Sequence, residues 1–214
     1  MSGGHPWPLF DVRLRTGGLE LRLPDDGELG RLCEIARAGI HEPHEMPFAY
    51  AWTDLASPYF ERSFMQFHWS TRANWSVEQW SLDLGVWADG VLVGMQGLGA
   101  HGFASTRTVG TGSWLGREHQ GRGIGKLMRT AVLALAFDHL GAEWAKSGAF
   151  VDNPASAAVS RALGYEEIGV ELQAPRGEER EAVQYLLSAD GWRSRERPPV
   201  EVSGLERCWD MFGA

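Results

Sequence analysis

Apolar and polar residues alternate with a period of two in Leu19-Glu20-Leu21-Arg22-Leu23, just before Pro24, which predicts a strand with one face turned to a core. The period then lengthens. Leu29, Leu32, Cys33, Ile35 and Ala36 recur at helical spacing behind Asp25 and Asp26, whose carboxylates suit an N-cap, and Gly39 suits the stop. Residues 40–48 carry prolines and ionisable groups and read as an ordered loop leading to the aromatic residues Tyr50 and Trp52. Ser57 can cap a helix whose Phe60, Phe64, Phe67 and His68 make one aromatic stripe, read as core. Alternation returns over 80–87 and 91–96 around the tight-turn pair Asp89-Gly90, which predicts a hairpin. After a less regular piece, 108–115 is the next strand. Ile124, Leu127, Met128, Ala131, Val132, Leu135 and Ala136 form one face of a helix ending at Leu140-Gly141. A strand over 143–151, a short helix over 154–163 closed by Gly164, and strands over 167–173 and 182–188 follow. The last two flank an exposed, charged hairpin at 176–181. From Asp190 the chain turns polar, and Arg193, Arg195 and Arg197 read as a solvated tail segment.

Between the strand at 108–115 and the helix after it lies Gln120-Gly121-Arg122-Gly123-Ile124-Gly125-Lys126. A strand, a glycine loop and a helix N-terminus in that order leave backbone N–H groups unpaired at the positive end of a helix dipole. Glycines let a bulky anion approach them, so a phosphate or pyrophosphate is the natural ligand. Two familiar phosphate loops do not fit. The residue after Lys126 is Leu127, so no hydroxyl is placed to hold magnesium, and Gly121, Gly123 and Gly125 have the wrong spacing for a dinucleotide fingerprint.

Composition narrows the partners. The 214 residues suit one domain, with a core over about 19–188 and a C-terminal extension over 189–214. A formal charge of -8 argues against nucleic-acid binding and is compatible with a basic partner such as an amine. Cys33 and Cys208 match no metal or redox spacing and read as ordinary thiols of a reducing cytoplasm. No run reaches the length of a membrane span, and Met1 to Pro6 lack a basic segment followed by an apolar one, so a cytoplasmic protein is expected. Trp7, Trp52, Trp69 and Trp75 lie outside the strand patterns, as core, as pocket walls or at a subunit contact. A homodimer or higher homo-oligomer is compatible with an acidic, aromatic-rich surface. His41 and His44 stand at i and i+3 beside Pro43, without helical metal-ligand geometry, and no metal is expected.

The spacing Gln120-x-x-Gly123-x-Gly125 resembles the GNAT acyltransferases. Asn153-Pro154-Ala155-Ser156, followed by Val159 and then Leu163-Gly164-Tyr165, is similar to that family's Asn-x-x-Ser/Ala segment and its helix ending in Leu-Gly-aromatic. The resemblance implies an α+β (α/β) fold with a mixed, mostly antiparallel sheet of six to seven strands, splayed beside the glycine loop, and about four helices on both faces. It implies acyl-CoA as co-substrate, with no tightly bound cofactor, and transfer to a protein lysine, an N-terminus or a small amine in a ternary complex. The pantetheine would lie along Trp114 and Leu115, the pyrophosphate on the N–H groups of 120–126, and Asn153 and Ser156 would complete the cofactor site. Arg122 and Lys126 would add positive charge.

A backbone N–H of Leu115 or Trp114 would be the oxyanion donor and Ser156 would assist the leaving thiolate, because Ser160 stands where many members have a tyrosine. No carboxylate occupies the family's usual base position before Trp114. Glu42, Glu45, His41, His44 and Glu178 are the substitutes, Glu45 foremost as a catalytic residue, and a water chain is the alternative. His41, His44, Phe48 and Trp52 would meet the acceptor. Within the family the chain resembles the branch that acetylates ribosomal-protein N-termini and, over nearly its whole length, an actinobacterial group that includes a mycobacterial succinyl-CoA user. The donor is therefore acetyl-CoA or succinyl-CoA. For a succinyl carboxylate His41, His44, Arg72 or Arg107 would be the partner. A non-catalytic acyl-CoA sensor is the alternative function.

Overall fold

The computed structural model describes residues 4–214; the reading of the N-terminus as leaderless rests in part on Met1 to Gly3, which lie outside them. One sheet organises the chain. Its strands are β1 (Arg13–Thr16), β2 (Leu19–Arg22), β3 (Gln79–Ala88), β4 (Val91–His101), β5 (Thr108–Leu115), β6 (Trp144–Phe150), β7 (Glu166–Gln173), β8 (Arg180–Ser188) and β9 (Glu201–Ser203), in spatial order β7-β8-β6-β5-β4-β3-β2-β1-β9. All neighbours are antiparallel except β5 and β6. The sheet thus has nine strands where six to seven were expected, and the additional ones lie at the β1 edge. β1 is only four residues long, too short for its alternation to stand out, and it forms through the two-glycine turn Gly17-Gly18, where both φ angles are positive.

Two helices, α1 (Asp26–Ala38) and α2 (Tyr59–Ala73), cover one face. Leu29, Leu32, Cys33 and Ala36 of α1 and Phe60 and Phe64 of α2 pack there with Trp87, Leu92 and Met95. After the single-turn α3 (Phe103–Thr106), α4 (Ile124–Ala134) covers the other face with Met128, Ala131 and Val132. It runs on through a π-helical turn, Leu135–His139, to the Leu140-Gly141 end. Helix α5 (Pro154–Leu163) follows β6, and a short α6 (Ala189–Arg193) follows β8. Asp25 accepts from the Glu28 N–H while Glu28 accepts from the Asp25 N–H, so the predicted cap is a reciprocal capping box.

Three expectations are corrected. Ser57 does not cap α2; Pro58 holds the N-cap position, and the Ser57 hydroxyl donates to Glu61 at 2.7 Å. The stripe on α2 is not uniformly core: Phe67 is 57 % exposed, because one side of the helix overhangs a cavity instead of packing. Residues 193–196 are exposed, as read, but from Arg197 the segment stops being a solvated tail. Arg197 pairs with Asp138 and lies over the Trp192 ring, then β9 adds to β1, and Leu205, Cys208 and Phe212 enter the core. Trp80 Nε1 donates to the Phe212 carbonyl and Trp75 Nε1 to that of Met211, so the polar composition of this segment hid its anchoring points.

Candidate functional site

The ladder between β5 and β6 contains only Thr108–Trp144, Val109–Ala145 and Gly110–Lys146, after which the two strands diverge. On its other side β5 stays paired with β4 through Leu115. Gly116 N–H donates to the Val93 carbonyl, and the Trp114 carbonyl lies against the Cα of Gly94. Strand alternation then turns the polar groups of Gly112, Trp114 and Gly116 toward β4 and those of Thr111, Ser113 and Leu115 into the gap. Of the two backbone donors proposed from sequence, Leu115 faces the open side.

The glycine loop closes the end of that gap. Gly121 and Gly123 have φ of 72° and 79°, and a Cβ on either would meet open space. The left-handed Gly123 is the N-cap of α4, with no side chain capping the helix. Gln120 N–H donates to Arg117 and Lys126 N–H to Gly123. Among the described residues none of the five N–H groups from Gly121 to Gly125 meets a protein acceptor, whereas those of Gln120 and Lys126 do. The Gln120 side chain serves otherwise: its Nε2 donates to the Ile40 carbonyl at 2.8 Å and to that of Leu115 at 2.9 Å, tying the loop to the end of α1 and to β5. Arg122 and Lys126 are exposed beside the loop.

Asn153 caps α5 by accepting from the Ser156 N–H at 3.1 Å, which leaves its amide nitrogen free to donate. Ser156 is half-buried. Ser160 is fully buried and accepts from Arg129 at 2.9 Å, with Ser147 beside both. Burial pushes the Arg129 guanidinium below the usual arginine range, and no carboxylate pairs with it among the described residues.

On the face under α2 the same strands floor a cavity of about 1030 Å³. Register explains its depth. Asp83, Gly97 and Gly112 lie side by side on β3, β4 and β5, and Ser81, Gly99 and Gly110 form the next row, so four positions directly beneath the helix lack side chains. Phe48, Trp52, Phe60, Phe64 and Trp114 form an aromatic wall with ring centroids 5.3–6.4 Å apart. Phe48 and Trp52, expected to meet the acceptor, thus line this cavity. His41 packs behind Phe48 and bonds Thr53 at 2.8 Å, whereas His44 and Glu45 are exposed outside the lining, as is Glu178. Arg107 and Arg72 are likewise outside it; Arg72 is held by Asp26 and the Pro24 carbonyl. The helix-connecting loop is clamped from the connection between β7 and β8: Arg176 grips both Asp54 oxygens at 2.7 Å, which holds the Asp54 carboxyl below its usual range. The charged hairpin is therefore a strut, not a free loop. Sequence reasoning missed Asp83 and His68 as cavity residues, because the alternation of β3 marks Asp83 only as off the core face.

Residues 19–166, more than half of the chain, match the family described as the Acetyltransferase (GNAT) domain. The chain belongs to this GNAT family. Solved structures share the fold of this GNAT domain. The Mycobacterium smegmatis RimJ complex with CoA-disulfide superposes with a TM-score of 0.70 at 21% identity, covering 86% of this chain and 90% of that one. A RimL ribosomal L7/L12 α-N-protein acetyltransferase gives 0.64 at 16% identity, with 82% and 93% covered. A SpeG spermidine N-acetyltransferase chimera from Vibrio cholerae and hSSAT gives 0.61 at 18% identity, with 84% and 100% covered. In the GNAT domain described here no helix among the described residues is long and apolar enough to cross a membrane.

Proposed function

We propose that the protein transfers an acyl group from acyl-CoA to a primary amine by direct attack in a ternary complex. The observation that carries this reading is the open edge of β5 from Thr111 to Leu115, which joins the glycine loop at one end to the cavity at the other. Family membership and the CoA ligand of the RimJ structure support the donor class. In this reading the free N–H groups of 121–125 hold the pyrophosphate, assisted by Arg122 and Lys126, and the edge of β5 holds the pantetheine with the Asn153 amide. The neutral amine attacks the thioester carbonyl and forms the C–N bond, the Leu115 N–H stabilises the oxyanion, the C–S bond breaks, and the surplus proton on the nitrogen passes through a water chain to the departing thiolate, which Ser156 hydrogen-bonds.

The donor is acetyl-CoA or succinyl-CoA, the latter following from the resemblance to the actinobacterial group. The acceptors named for RimL and SpeG, a ribosomal protein and spermidine, bracket the acceptor as a protein amine or a small amine. The test is thiol release from acetyl-CoA and succinyl-CoA with lysine peptides, N-terminal peptides and small amines. Acceptor-dependent release with one donor is expected; measurable CoA binding with no release from either would favour the sensor reading instead.

A further inference from the structure

Asp83 is the single carboxylate among the described residues that line the cavity under α2. Its side chain is 16% exposed. Oδ1 accepts only from the Ser81 hydroxyl, at 3.1 Å, and stands 3.0 Å from where a Cβ on Gly97 would be, so this oxygen is presented over the glycine floor. Oδ2 is buried without a hydrogen-bond donor; His68 Nδ1, 3.7 Å away, is beyond hydrogen-bond reach and pairs with it only when the ring is protonated, so a neutral His68 leaves the carboxylate without a counter-charge. Arg72, the nearest guanidinium on α2, is committed to Asp26 and Pro24, and the remaining ionisable nitrogens of the lining, on His101 and Lys146, do not pair with Asp83. A carboxylate taken this far out of water calls for a cation. Around it the walls are aromatic, and the volume suits an organic molecule rather than an ion.

We propose that this cavity binds a protonated primary amine carried on a small aromatic or apolar body, with Asp83 anchoring the ammonium group and the glycine rows of β4 and β5 receiving the body. The inference rests on the acyltransferase reading for its purpose and names the acceptor class of that same site. Register supplies the link: Asp83, Gly97 and Gly112 are consecutive across the sheet, so an ammonium on Oδ1 stands next to β5, the strand whose far edge faces the gap, and loss of its proton to the Asp83 carboxylate gives the neutral amine that the transfer step requires. A polyamine would bring further ammonium groups to a lining with no second carboxylate among the described residues, and a peptide would bring backbone groups that the aromatic walls cannot satisfy.

The test is calorimetric titration of 2-phenylethylamine, its neutral isostere 2-phenylethanol, spermidine and a lysine peptide into CoA-saturated protein. 2-Phenylethylamine is expected to bind more tightly than the other three. Asp83→Asn should weaken it at least tenfold without changing CoA affinity. Gly112→Ala is the second variant: a Cβ there meets nothing within 4 Å, so the fold tolerates it, yet the methyl group occupies the floor and amine binding is weakened. Equal binding of the alcohol, tighter binding of spermidine or the peptide, no binding of 2-phenylethylamine, or an unchanged affinity in Asp83→Asn each overturns the proposal. Asp83-dependent amine binding without thiol release from either acyl-CoA would uphold the site while refuting the transfer reaction.

Discussion

Replacing Gln120 by alanine is expected to destabilise the fold and weaken CoA binding together, because the side chain holds the loop rather than the ligand. Two donors are lost, 2.8 Å and 2.9 Å from the Ile40 and Leu115 carbonyls. A neutral hydrogen bond contributes about 1 kcal/mol net, and a partly buried carbonyl left unpaired costs up to about twice that, so the loss amounts to roughly 2–4 kcal/mol. For a chain of this size each 1 kcal/mol lowers the Tm by about 2–4 °C, giving a fall of roughly 4–16 °C. Gln120→Glu sharpens the test. It keeps the volume, removes both donors and sets a carboxylate against two carbonyl oxygens, so it should be destabilised at least as much as Gln120→Ala. Thermal unfolding followed by circular dichroism, with CoA titrations on the same samples, reads both effects. If Gln120→Ala melts within about 1 °C of wild type while losing CoA affinity, the side chain contacts the ligand directly and the reasoning fails.

Gly94→Ala should be poorly folded, since its Cβ would lie 2.2 Å from the Trp114 carbonyl and 2.8 Å from the Leu115 Cα, both backbone atoms, at a cost of about 1–3 kcal/mol or more; Gly112→Ala, with open space, is the control in a urea titration. Glu28→Gln should lose about 1–3 kcal/mol at neutral pH, with the gap closing in acid. Burial alone would raise the Glu28 carboxyl, but hydrogen bonds from Arg22 and the Asp25 N–H outweigh it and hold the group below the ordinary 4.5. A depressed carboxylate stabilises the fold above its unfolded pKa and loses that contribution as pH falls through the folded one, so the wild-type and Glu28→Gln midpoints should converge below about pH 4.5; parallel curves would contradict this. Arg129→Met should leave the denaturation midpoint unchanged or raised, because the buried guanidinium has hydroxyl partners but no carboxylate, whereas Ser160→Ala, which removes an acceptor 2.9 Å from it, should cost about 1–3 kcal/mol.

Much of this architecture is legible in the chain because the deciding physics is local. Asp25 with Glu28, Asn153 with Pro154, and Gly164 mark helix ends by chemistry acting within a few residues, and α5 runs over the same residues, 154–163, that the pattern predicts. The glycine loop was legible for the same reason: Gly121 and Gly123 occupy left-handed conformations that open N–H groups at a helix start. What the loop does not report is partnership. Gln120 reads as a loop residue and turns out to brace Ile40, eighty positions away. Arg176, in a hairpin that looks merely solvated, clamps Asp54, and residues 201–203 of a polar tail complete the sheet. Asp83 shows the limit most clearly. Its place off the core face follows from alternation, but its solitude in a cavity follows from register, which sets Gly97 and Gly112 beside it, and from α2 passing overhead. Periodicity along one strand tells which face a residue takes; which side chains share that face is decided across strands, where only the folded chain brings them together.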